Sequence, residues 1–362
     1  MARNRLFIPG PIESPKEVLE ALGQPIFGHR GKEFPELYNR VVPVLKELLY
    51  TKNRVFLGTS SASGVMEGAI RNSSSKSILS CSCGAFSERW FEIAKANGKE
   101  TDAYAVEWGQ PNTAEEIDKR LATGKYDCMT LVHNETSTGV MNDLEGISAV
   151  LRKHPDVVWC VDAVSSMAGV KIEVDRLGID VCLAGVQKAF AIPPGLAVFS
   201  VSQKALDRAK SVKNRGAYYD FVKFAEFDDK SMTPETPAIS LIVALAAQTR
   251  RFQAEGIENR FRRHLELAAI GRAWASKNFA VFAPKGFESV TLTTVKNTKG
   301  IDVGALISEL KRRRQVEIGN GYGKLKDKTF RIAHMGETTV AELKEILGWI
   351  DEILPTLQKA SA

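Results

Sequence analysis

Val157-Val158-Trp159-Cys160-Val161-Asp162-Ala163-Val164-Ser165-Ser166 sets five apolar side chains in a row and then breaks into a carboxylate and two hydroxyls. A run that is apolar at every position, not at alternate ones, reads as a strand buried on both faces, as in a parallel sheet covered by helices. Ending it on Asp162 puts a charge at the strand's carboxyl end, where open α/β sheets bind ligands. Working outward, the same pattern recurs at 55–57, 77–80, 129–133, 181–184 and 196–201, with segments of helical period between. The spacing fits crossover helices, so an α/β fold with a mostly parallel, doubly covered sheet is expected. Three strands run into polar or glycine-rich turns: Gly58-Thr59-Ser60-Ser61-Ala62-Ser63-Gly64, His133-Asn134-Glu135-Thr136-Ser137-Thr138-Gly139 and the turn from Asp162.

Beyond a loop over 228–237, helices are expected over 239–256 and 257–278. Strand, helix, strand and helix then follow over 289–295, 303–314, 330–333 and 340–354, which reads as a compact α+β unit. A boundary is expected between 245 and 260. A chain of 362 residues exceeds what one core usually supports, so two domains are expected. No internal repeat is found.

The charge balance, 49 basic against 43 acidic residues for a net +6, suits anionic ligands but is too diffuse to point to nucleic acid. Five cysteines (Cys81, Cys83, Cys128, Cys160, Cys182) are an odd number in a long chain, which argues for a reducing compartment over a disulfide framework. Cys81-Ser82-Cys83 has no second pair at ligand spacing, so no metal is expected. Only three apolar residues separate Met1-Ala2-Arg3-Asn4-Arg5 from Pro9-Gly10-Pro11, too few for a signal peptide, and no apolar run spans a membrane. A cytoplasmic protein is the expectation.

Val186-Gln187-Lys188-Ala189 places a lysine in a turn between two expected strands, among apolar neighbours. Burial there lowers the amine's pKa towards the neutral form that condenses with aldehydes. Asp162 either caps its turn or pairs with the cationic ring nitrogen of a bound cofactor. The Ser60-Ser61-Ala62-Ser63-Gly64 turn precedes a helical segment over 65–72; it either caps that helix or cradles a phosphate on its free N–H groups. No Lys follows, so it is not a nucleotide-binding P-loop. Phe86, in Cys83-Gly84-Ala85-Phe86-Ser87-Glu88-Arg89-Trp90, is either core or a stacking platform for a planar ring.

Taken in order, Pro9-Gly10-Pro11, Gly28-His29-Arg30, the serine-rich turn, Gly84-Ala85-Phe86, the 135–139 loop, the 162–166 turn, Gln187-Lys188 and Pro193-Pro194-Gly195 resemble a class V, fold-type I aminotransferase of the alanine/serine–glyoxylate type. The resemblance runs over nearly the whole chain. It implies a large domain over 16–250 with a mostly parallel seven-stranded sheet, and a small α+β domain over 251–362 joined by the N-terminal segment 1–15. It implies pyridoxal 5'-phosphate as cofactor, Lys188 as the Schiff-base lysine, Asp162 opposite the pyridine nitrogen and Phe86 stacked on the ring. Ser61, Ala62, Ser63 and Gln187 would line the phosphate and Thr136 the ring or its O3' side. Thr236 would reach the phosphate held by a neighbouring subunit, which implies a homodimer with shared active sites. Gly28, His29 and Arg30 would contact substrate, and Arg331 would hold the substrate carboxylate through a bidentate guanidinium.

Some positions depart from the family pattern. Phe86 stands where Trp is common, Ala62 where Gly is common, and Glu235 beside Thr236 where the phosphoserine branch tends to have Asn. The implied reaction moves an amino group from a small amino acid, alanine or serine, to glyoxylate or pyruvate. His29-Arg30-Gly31-Lys32-Glu33-Phe34 also resembles the phosphate grip of phosphoserine aminotransferases, which keeps phosphoserine with 2-oxoglutarate as the alternative. A lyase or cysteine desulfurase of the same fold, or an inactive homologue kept as a scaffold, completes the set. The former wants a mobile cysteine, and the loop before Arg331 has none.

Overall fold

The computed structural model describes residues 5–357, so residues 1–4 and 358–362, at the two ends of the expected small domain, lie outside it. The chain begins with β1 (Arg5–Phe7), α1 (Lys16–Leu22), α2 (Glu33–Leu48), β2 (Arg54–Gly58), α3 (Ala62–Ser73), β3 (Ser77–Ser82), α4 (Ala85–Ala96), β4 (Glu100–Ala105), α5 (Ala114–Leu121) and β5 (Cys128–Val132). It continues through β6 (Asn134–Glu135), β7 (Val140–Met141), α6 (Leu144–Leu151), β8 (Val158–Asp162), α7 (Val174–Leu177), β9 (Val181–Gly185), β10 (Ala197–Val201), α8 (Gln203–Ser211), α9 (Phe221–Asp228) and α10 (Ile239–Glu255). The last part is α11 (Ile257–Asn278), β11 (Ala280–Val281), β12 (Leu292–Lys296), α12 (Val303–Arg314), β13 (Val316–Asn320), β14 (Thr329–Ala333) and α13 (Val340–Ile353).

Seven strands form one sheet in the order β2-β10-β9-β8-β5-β3-β4. Only β10 runs against its neighbours, pairing antiparallel with both β2 and β9. The expected mostly parallel seven-stranded sheet is therefore present, and every residue of β8, β9 and β5 is buried. The chain leaves β3 outwards to β4, then returns to β5 and proceeds the other way through β8 and β9, so the connections diverge between β3 and β5. Such a divergence opens a crevice at the carboxyl ends of the strands. Phe86 at the head of α4, Thr136 just past β6 and Asp162 at the end of β8 follow or close β3, β5 and β8 at that edge.

A second sheet has the order β1-β13-β14-β12-β11, with α11, α12 and α13 supplying buried side chains against it. Its first strand comes from the chain's start: Arg5, Leu6 and Phe7 pair in parallel with Val316, Glu317 and Ile318. The strand expected from residue 289 starts at Leu292, because Ser289 N instead donates to Gly139 O and Thr291 Oγ1 to Ser165 O. Those bonds lash the second sheet to the turns of the first.

Candidate active site

Lys188 emerges three residues past β9 and is only 7% exposed. Its Nζ donates to Thr136 Oγ1 at 2.7 Å and Ser165 Oγ at 2.6 Å, and those two hydroxyls also bond each other. Burial pulls the ammonium below its ordinary pKa; the carboxylates of Asp162 and Glu135 oppose this, while the guanidiniums of Arg331 and Arg89 add to it. The result is an amine poised to lose its proton. Gly10 lies across this side chain: with φ +107° and Lys188 Cγ 3.0 Å from where a Cβ would stand, any other residue would be strained and crowded there.

Asp162 ends β8 and faces the same cavity as Lys188. One carboxylate oxygen accepts from Val164 N at 2.9 Å, the turn contact foreseen as an alternative, and the other from Trp90 Nε1 at 3.3 Å. Both contacts coexist with a place in the cavity wall. Burial raises this carboxyl's pKa, against those two bonds and the charge of Lys188. A cation brought to it would favour the carboxylate further.

The cavity encloses about 640 Å³, within the range of small-molecule sites. Ser61, Ala62, Ser63, Phe86, Thr136, Asp162, Gln187, Lys188 and Arg331 all line it. Lys188 Nζ sits 5.3 Å from the centroid of the Phe86 ring. Ser61 is the N-cap residue of α3, yet its side chain makes no capping bond. The first turn of α3 is thus left with donors for an anion. Arg331, on β14, gives Nε to Asn320 O and Nη1 to Thr136 O and is in no ion pair among the described residues.

Gly28, His29, Arg30 and Thr236 are not in this cavity. Arg30 donates to the carbonyl oxygens of Thr233 and Pro234, both at 3.2 Å, and stands over the Phe227 ring. The 28–30 segment and the loop with Thr236 are thereby held together on the surface, with Thr236 exposed. Glu235 pairs with Lys223 at 2.8 Å, so its charge is met there.

Five further side chains bear on the site that the sequence did not single out. Ser165 shares Lys188 Nζ, Trp90 holds Asp162, and Arg89 and Tyr322 enter the cavity wall. Glu135, fully buried, accepts from the backbone N–H groups of Phe86, Ser87 and Ser137 and from the hydroxyls of Ser87 and Ser137. A carboxylate at the start of α4 is stabilised by the helix's free N–H groups, and it fixes the helix that presents Phe86, Arg89 and Trp90. Four of them lie inside the quoted motifs, which was the one available signal; Tyr322 lies in none.

A lysine and an aspartate in one cavity at the carboxyl edge of this sheet, under an aromatic ring, are the arrangement of a fold-type I aminotransferase. The solved alanine–glyoxylate aminotransferase from Nostoc sp. is similar over 98% of this chain and 96% of that one, with a TM-score of 0.92 at 26% identity. The chain belongs to the class V aminotransferases, whose family model matches residues 29–322. An uncharacterized aminotransferase of Methanocaldococcus jannaschii is 36% identical over 97% of this chain and 93% of its own. The L-aspartate–glyoxylate aminotransferase of Paracoccus denitrificans is 32% identical over 94% of this chain and 88% of its own.

Proposed function

We propose that the protein binds pyridoxal 5'-phosphate and transfers the amino group of a small amino acid, alanine or serine, to a 2-oxo acid, glyoxylate or pyruvate. The observation that carries this is the single cavity shared by the Lys188 amine and the Asp162 carboxylate. Pyridoxal phosphate, when bound, supplies an electron sink for the bond-breaking at the amino acid's α-carbon. Lys188 would hold the cofactor's aldehyde through its amine, and its Nζ would move the α-proton as general base. Thr136 and Ser165 hold its Nζ in place. Asp162, fixed by Trp90 and Val164, would meet the ring nitrogen, and Phe86 would cover the ring. Ser61, Ala62, Ser63 and Gln187 would receive the phosphate at the head of α3. Arg331 holds the substrate carboxylate.

Relatives named for glyoxylate as acceptor support that choice, with L-aspartate or serine as partner in their names. The phosphoserine alternative needs Arg30 at the substrate, and within its own subunit Arg30 is spent on two carbonyl oxygens. The surface that groups Gly28, His29, Arg30 and Thr236 supports a homodimer in which each subunit completes its partner's site. The placement of the two sheets supports domains at 16–250 and at 251–362 with 1–15. Five buried free thiols support a reducing, cytoplasmic setting. Five buried thiols also leave no mobile cysteine for desulfuration.

Two experiments test this. Lys188→Ala should remove both the visible absorbance of the cofactor-loaded protein and turnover; retained transamination refutes the assignment. A panel of alanine, serine, aspartate and phosphoserine against glyoxylate, pyruvate and 2-oxoglutarate then ranks the substrates. Phosphoserine as best donor would overturn the substrate class while leaving the lysine assignment intact.

A further inference from the structure

Three cations line the cavity: Lys188, Arg331 and Arg89. Lys188 is engaged with two hydroxyls, and Arg331 is assigned above to the substrate carboxylate. Arg89 has no role yet. It stands on α4 three residues after Phe86, hence on the same helix face, with its guanidinium carbon 5.2 Å from the Phe86 ring centroid. Its Nη1 reaches Ser63 Oγ at 3.4 Å, and among the described residues it meets no carboxylate. Ser63 lies in the first turn of α3, beside the uncapped Ser61. A guanidinium in the wall of a half-closed cavity without an acidic partner is costly unless an anion arrives. Of the two guanidiniums left unpaired here, Arg331 serves the end of the cavity formed by β13 and β14, and Arg89 the end formed by α3.

We propose that Arg89 is the positive charge, contributed by the same chain, that binds the phosphate of the cofactor at the head of α3. This rests on the reading that pyridoxal phosphate occupies the cavity. The turn itself offers only hydroxyls and N–H groups, which leave a dianion incompletely neutralised. A guanidinium adds charge and paired donors in a geometry that matches phosphate oxygens. Seating Arg89 and Phe86 on one face of α4 lets a single helix grip the cofactor by its ring and its phosphate.

The test compares pyridoxal phosphate with pyridoxal, which lacks only the phosphate, by absorbance titration of the cofactor-stripped protein. Arg89→Gln should weaken pyridoxal phosphate binding by about 10- to 100-fold, the loss of a hydrogen bond to a charged group. It should leave pyridoxal binding unchanged, and Arg89→Lys should recover most of the loss. Equal weakening of both ligands would overturn the proposal and make Arg89 a support for Phe86. Unchanged cofactor affinity with a raised KM only for donors bearing a second carboxylate would overturn it in favour of substrate recognition. Unmutated protein that gains no visible band with pyridoxal phosphate, and no borohydride-stable label on Lys188, would fail the underlying cofactor reading instead.

Discussion

At the scale of single residues, the site is a compromise between stability and chemistry, and Lys188 carries most of it. Its depressed pKa means that the folded chain releases this proton at a lower pH than the unfolded chain does. Between that depressed value and the ordinary 10.5, raising the pH favours folding, since the unfolded chain then binds the extra proton. Below the window the buried charge is a net cost. Lys188→Met should accordingly raise the melting temperature of the cofactor-free protein at pH 7, and the gain should shrink as the pH climbs towards 10.5. A gain that ignores pH would show that the amine keeps its ordinary pKa in the folded chain. Lys188 and Asp162 were both legible in the sequence, because a charged residue inside or beside an apolar run demands a reason. Trp90 and Ser165 were not. Trp90 is a core-like aromatic whose use depends on a partner 72 positions away, and nothing local records that meeting.

Elements were legible in proportion to how fully they are covered. The doubly buried strands β5, β8 and β9 read directly from continuous apolar runs. β4, at the sheet edge, mixes exposed and buried positions in Glu100-Thr101-Asp102-Ala103-Tyr104-Ala105, and it was missed. β13 escaped too, since Gly319 and Asn320 dilute its pattern, although it forms part of the cavity wall. The helices α11 and α12 carry clear periods and fall where expected. What their periods conceal is Arg260, wholly buried on α11, which donates to Ala168 O and to Ala189 O, the residue after Lys188. It also pairs with Glu255 and Glu337 at 2.9 and 2.8 Å. Burial pushes the Glu337 carboxyl up, but the charges and bonds of Arg260 and Arg251 outweigh it and hold the group at about 2. That stabilisation is present above the unfolded carboxylate's pKa and fades as the pH falls towards about 2. Arg260→Met should cost about 3 to 5 kcal/mol in urea unfolding, the loss expected when one partner of a buried ion pair is removed. A cost under about 1 kcal/mol would mean that Arg251 and Arg263 suffice for the two glutamates.

For the whole molecule, the parallel sheet was legible in continuous apolar runs and the residue roles came from the resemblance, but one subunit does not gather every named residue. Gly28, His29, Arg30 and Thr236 form a surface group of their own, so a role for them in catalysis would call for a second copy. Mixing inactive Lys188→Ala with a Thr236→Asp variant, whose added charge repels phosphate, tests this. Hybrid dimers would hold one site with both defects and one with neither, so activity should return on mixing. If the mixture stays no more active than its components, each subunit works alone. The small sheet has a second claim on the active site besides Arg331. Because β1 is bonded into it, the backbone leading to Gly10 is tied to the strands that carry Arg331, and Ile12 N is bonded to Gln187 O. Any swing of that sheet as a rigid plate must therefore alter the roof over Lys188 and the reach of Arg331 in one stroke, so that whatever closes on the incoming acid is felt by the amine.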